Sequence, residues 1–213
     1  MGWARTEKRA LAETLRQTDP RAATLCAGWD VQRLLAHLVQ REQDARGAVG
    51  DLLQRAEPGQ EKNLGSLVEG AATPQGYAAL VDRFLAGPPR WSPFSWAADQ
   101  VSLLEYVVHH EDVRRGGPVP AAPRELPAHQ RQQLWKQLPL MARLRFRKAP
   151  VGVVLALPDG TTAPVKVGTP AVTLTGDPVE LALHVTGRRG AAVVQVSGPP
   201  AAVTEFQDWL AQG

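Results

Sequence analysis

Glu105 and His109 are the residues of this chain best suited to chemistry, four positions apart within Leu103-Leu104-Glu105-Tyr106-Val107-Val108-His109-His110. On a helix, positions i and i+4 lie one turn apart on one face, so both side chains can reach a single ion. A carboxylate in so apolar a run is costly to bury unless a cation or metal faces it. Asp112, three residues after His109 on that face, is placed to accept the ring N–H that a metal-bound imidazole turns away from its ion. Pairing with Arg114 or Arg115 is the other role open to it. His110 points about a hundred degrees away from His109, beside Tyr106, which suits packing or a substrate-facing role. A third ligand must come from elsewhere, and His37 is a candidate. The apolar stripe Val31, Leu34, Leu35 and Leu38 leaves His37 on its edge, so periodicity alone also allows a partly exposed histidine. Spacing alone likewise leaves open a buried, hydrogen-bonded Glu105–His109 pair in place of a metal site.

These residues require helices to hold them. Leu11 and Leu15 predict a first helix over 6–17, stopped by Asp19-Pro20. Asp30 reads as the N-cap of a second, running to about Ala45 and carrying His37. The stretch 47–74 reads as a long irregular connection with helical pieces around Leu52, Leu53 and Leu67. A third helix is expected over 77–85. After it comes the aromatic loop Arg90-Trp91-Ser92-Pro93-Phe94-Ser95-Trp96, a possible pocket lip. The fourth helix, 97–115, carries Glu105 and His109 and ends at Gly116-Gly117-Pro118. A fifth, 128–148, should kink or break at Pro139. Beyond Pro150 the period shortens to strands at 151–157, 163–167 and 171–175, read as a small antiparallel sheet. A helix at 178–186, a strand at 191–197 and a final helix at 201–210 follow. The fold class is therefore α+β, with a helical domain over 1–149 and a small α+β domain over 150–213.

Composition narrows the function. The 213 residues are 44% hydrophobic and 21% charged, ordinary for a folded globular chain. Lys and Arg number 24 against 21 Asp and Glu, a net charge of +3 that gives nucleic acid little support as a partner. Arg143, Arg145, Arg147 and Lys148 read as the solvated side of the fifth helix. Neither a signal peptide nor an 18-residue apolar span is evident, which leads us to expect a cytoplasmic protein without a membrane partner. The single cysteine, Cys26, fits a reducing compartment and reads as a buried, inert thiol.

Two stretches resemble a known family. Cys26-Ala27-Gly28-Trp29 with Leu34-Leu35-Ala36-His37-Leu38, and Glu105-Tyr106-Val107-Val108-His109-His110-Glu111-Asp112-Val113, resemble the mycothiol-dependent maleylpyruvate isomerase family of DinB-like four-helix bundles. The likeness is nearest to an actinobacterial branch of metal-binding proteins, and 176–188 is similar to the family's small C-terminal α+β domain. By motif position the resemblance implies His37, Glu105 and His109 as ligands of a divalent metal, zinc first, with nickel or iron served by the same donors. Two histidines and one carboxylate leave open positions, as catalytic rather than structural zinc sites do. Mycothiol is the implied cosubstrate, its sulfur activated by the metal for attack on a small electrophile, in a thiol transferase or isomerase. The alternative is a non-catalytic protein that holds a small thiol or anion at the metal. No residue stands out as a general base. Arg90 and Arg188 are the candidate substrate binders, and a surface role is open to each. A monomer or homodimer is expected.

Overall fold

The computed structural model describes residues 2–43, 62–87, 94–119 and 121–212. They form two compact units, Met1–Ala122 and Pro123–Gly213. In the first unit, α1 (Trp3–Gln17) buries Ala4, Leu11, Ala12 and Leu15. α2 (Val31–Gln43) buries the expected stripe, with Val31, Leu34, Leu35 and Val39 wholly sequestered. Its start is the expected one, since Asp30 Oδ1 accepts from the Arg33 N–H at 2.8 Å. The connection read as irregular contains α3 (Lys62–Gly70), while Leu52 and Leu53 lie outside the described residues.

Next comes α4 (Pro74–Ala86), three residues earlier than its apolar pattern suggests. Thr73 Oγ1 accepts from Gly76 N at 3.1 Å, and Pro74 occupies the first turn, where a missing N–H costs nothing. α5 (Phe94–Arg115) packs against α1 and α2, its buried residues including Leu103, Tyr106, Val107 and Val113. The last turn of α5 presses on the loop before α2. A Cβ on Gly116 would lie 2.2 Å from Thr24 Cα, and Leu25 N donates to Asp112 O at 3.1 Å. That close approach sets residues 24–26 beside Asp112.

The second unit opens with α6 (Ala128–Phe146), continuous through Pro139 rather than broken there. Strands β1 (Gly152–Ala156), β2 (Thr162–Lys166), β3 (Ala171–Thr175) and β4 (Gln195–Ser197) form one sheet in the order β2-β1-β3-β4. The expected all-antiparallel arrangement is corrected in one place, because β1 and β3 run parallel. The chain leaving β2 doubles back through Gly168, which passes so near Gly152 that a Cβ there would meet Gly168 O at 2.3 Å. It therefore enters β3 at the end where β1 began. Helices α7 (Pro178–Val185) and α8 (Pro200–Ala211) complete the unit. α6 packs on α7 and β2, and the Phe146 ring lies 5.6 Å from Phe206. By compactness α6 groups with the sheet, because its buried face packs on α7 and β2. No helix among the described residues is long and apolar enough to cross a membrane.

Candidate metal centre

His37 on α2 and Glu105 and His109 on α5 each offer one ligand atom within 4.8 Å of the others. The His37 and His109 rings lie 5.6 Å apart, inclined by 70°. Metal bonds of about 2.1 Å would set tetrahedral ligand atoms roughly 3.4 Å apart, so modest side-chain rotation closes the cluster on an ion. His109 is held by Asp112, whose Oδ2 stands 2.9 Å from Nδ1. A carboxylate only accepts, so Nδ1 carries the proton and Nε2 is the nitrogen left for a metal. Asp112 is fully buried. Arg114 and Arg115, its other candidate partners, are engaged by Glu111 instead, at 2.9 and 2.5 Å.

Glu105 is the least settled member. Arg41 Nε approaches its Oε1 at 2.8 Å, yet the oxygen is buried without a properly aligned hydrogen-bond donor. Burial pushes the Glu105 carboxyl up, opposed by the charges of Arg41 and His109 and reinforced by Glu42. Arg41 is the cation that this buried carboxylate faces, and a divalent ion between Glu105, His37 and His109 would add a second cation to it. The donor set of two imidazoles and one carboxylate suits zinc or another first-row metal. A second triad, Cys26, His109 and Asp112, has the same spread. Its members already satisfy one another, since Cys26 Sγ donates to Asp112 Oδ2 at 3.2 Å, so it is the weaker candidate.

Residues 3–92, spanning α1 to α4, match the model of the mycothiol maleylpyruvate isomerase N-terminal domain. That match covers less than half of the chain and is a likeness confined to its N-terminal part. The matched segment contains His37 but ends before Glu105 and His109. Two solved structures share the fold, the crystal structure of the mycothiol-dependent maleylpyruvate isomerase and that of a histidine-to-alanine mutant of it. Each is 18% identical with a TM-score of 0.60, over 92% of this chain and 90% of its own. No curated protein matches the chain.

Other candidate residues lie around the cluster or away from it. His110 turns away from it as its wheel position implies, with Nδ1 2.7 Å from Glu7 Oε1 and Nε2 2.8 Å from Thr14 Oγ1. Arg90 lies outside the described residues. Arg188 belongs to the second unit, where its guanidinium donates to Thr186 O at 2.8 Å. Two neighbours escaped the sequence reading. Cys26, taken for an inert thiol, is half-buried and bonded to the carboxylate that orients His109. Trp29 sets its ring 5.2 Å from His37. The motif Cys26-Ala27-Gly28-Trp29 signals both, but only as family resemblance.

Proposed function

We propose that this chain is a metal-dependent thiol transferase or isomerase that uses mycothiol to attack a small electrophile. The convergence of His37, Glu105 and His109 from two helices onto one point, with Glu105 Oε1 lacking an aligned donor, carries this reading. A bound divalent ion, zinc first, would lower the pKa of a coordinated thiol so that thiolate is present at neutral pH. The chain's own residues prepare for that. Asp112 accepts a hydrogen bond from the Nδ1–H of His109 and so leaves Nε2 to a metal. Glu105 supplies one negative charge toward a dication. For a cis double bond conjugated to a carboxylate, thiolate addition, rotation about the new single bond and elimination of the thiolate yield the trans isomer. For other electrophiles the adduct is the product.

Metal analysis of purified protein tests the first step. About one divalent ion per chain is expected, lost in His37→Ala, Glu105→Ala and His109→Ala and kept in His110→Ala. An ion retained by Glu105→Ala contradicts the ligand assignment. Cobalt-substituted protein then tests the thiol: mycothiol should add intense sulfur-to-metal absorption, measured in the Cys26→Ser background to exclude the protein's own thiol. A spectral change with no electrophile consumed across a broad panel would instead mark a binding protein.

A further inference from the structure

The positive charge of this chain is concentrated on one helix. Residues 128–148, which are α6 and the two positions after it, hold six cations, Arg131, Lys136, Arg143, Arg145, Arg147 and Lys148, and neither Asp nor Glu. The whole chain carries only +3, so the remainder is net acidic. Arg131 pairs with Asp177 at 2.7 Å, near the start of α6. Four of the others crowd its final turn and the two residues beyond.

Burial divides the helix lengthwise. Leu134, Leu138, Ala142 and Phe146 are buried in the core of the second unit. Lys136, Leu140, Leu144 and Lys148 follow at intervals of four on the other side, where such spacing stacks side chains into one line. Arg143 and Arg147 border that line, and all six residues are exposed. Leu140 is 67% and Leu144 57% exposed, with Met141 beside them at 39%. A solvated side, as the sequence suggested, suits the cations. It does not suit two leucines at the centre of the line, since single exposed apolar residues are ordinary but a group on adjacent turns marks a contact surface.

We propose that this face of α6 docks on an anionic phospholipid surface, with Leu140 and Leu144 set into the boundary between headgroups and acyl chains and Lys136, Arg143, Arg147 and Lys148 on the lipid anions. A helix of this pattern lies in the plane of the interface, its apolar side chains inserted and its long cationic stems reaching outward to the headgroups. Duplex nucleic acid presents phosphates to the same cations but offers the leucines no apolar phase to enter. An acidic protein needs a groove shaped to a convex helix, whereas lipid headgroups rearrange around it. The contact is peripheral and needs no spanning helix, so the lack of one among the described residues does not oppose it. None of these residues belongs to the candidate metal centre, and the docking face stands independently of the proposed chemistry.

Co-sedimentation of the full chain with vesicles tests this. Binding to vesicles of equal parts phosphatidylserine and phosphatidylcholine is expected, with little to phosphatidylcholine alone, and it should weaken as salt rises. Arg143→Gln combined with Arg147→Gln should weaken binding about fivefold per charge removed. Arg5→Gln, at an exposed cation of the first unit, should leave it within about twofold. Leu140→Ser combined with Leu144→Ser keeps every charge and should weaken binding about tenfold or more, the effect of withdrawing two apolar side chains from the interface. Should a variant misfold by circular dichroism, the dependence of the parent on salt and on phosphatidylserine still decides. No uptake by the anionic vesicles, equal uptake by neutral ones, or unaltered binding in the arginine pair overturns the proposal. Unaltered binding in the leucine pair shows charge attraction alone and overturns the docked geometry. Tighter binding of duplex DNA or of polyglutamate at the same salt assigns the face to nucleic acid or to an acidic protein and overturns the lipid reading.

Discussion

Asp112 is the residue on which the cluster's geometry depends. One oxygen lies 2.9 Å from His109 Nδ1 and 3.2 Å from Cys26 Sγ, so a fully buried carboxylate orients a candidate ligand and a thiol together. Asp112→Asn preserves volume but presents an amide that can either accept from His109 or donate to it, which frees the tautomer. Metal affinity is expected to fall about 10- to 100-fold, the usual effect of removing a partner behind a ligand. Competition against a zinc indicator dye measures this. Cys26→Ser keeps a donor toward Asp112 and should stay within a few-fold of the parent. An unchanged affinity in Asp112→Asn would mean that packing alone orients His109.

At the level of elements, α5 is anchored on both flanks independently of any ion. Its far side meets α1 through His110, held between Glu7 and Thr14, and its end presses on the loop at Thr24 through Gly116. His110→Ala removes the imidazole from a buried carboxylate, and a loss of about 2–4 kcal/mol is expected in urea unfolding with metal content retained. Gly116→Ala places a methyl where Thr24 backbone lies at 2.2 Å. The loop must shift, which should lower Tm and loosen the Cys26–Asp112 contact, read as faster modification of the thiol. Because Leu11, Leu15, Leu34, Leu35, Leu103 and Val107 are buried without help from a ligand, chelation should lower Tm while leaving the helical circular-dichroism signal intact. Complete unfolding in chelator would reveal a structural metal.

For the molecule as a whole, the second unit carries its own titration risk. His184 is 7% exposed with Nε2 lacking a hydrogen-bond partner, and burial, helped by the charge of Arg189, pushes it down to about 4. A histidine depressed in the folded state stays neutral there while the unfolded chain binds a proton below about 6.5. Stability from this group is therefore complete above pH 6.5 and is lost as pH falls toward 4. The lowering from 6.5 to about 4 corresponds to about 3 kcal/mol at most. The difference in unfolding free energy between the parent and His184→Gln, followed from pH 7 to pH 4, should shift by that order against the parent. A pH-independent difference would show that His184 is solvated or paired.

The order and kind of the helices, the N-cap at Asp30, the strand runs after Pro150 and the alignment of Glu105 with His109 on one helix face were all readable from residue types and periods. Such features are local, set by a repeat of 3.6 or 2 and by Pro, Gly and capping side chains. Which element meets that face is not local. His37 sits at the edge of its apolar stripe, and only the packing of α2 on α5 brings its ring 5.6 Å from His109. The choice of Asp112 between His109 and its neighbouring arginines turned on Glu111 engaging Arg114 and Arg115 first. The parallel pairing of β1 with β3 and the grouping of α6 with the sheet arise from chain reversal at Gly168 and from the Phe146–Phe206 contact. Periodicity states which side chains share a surface, and long-range packing alone decides what that surface faces.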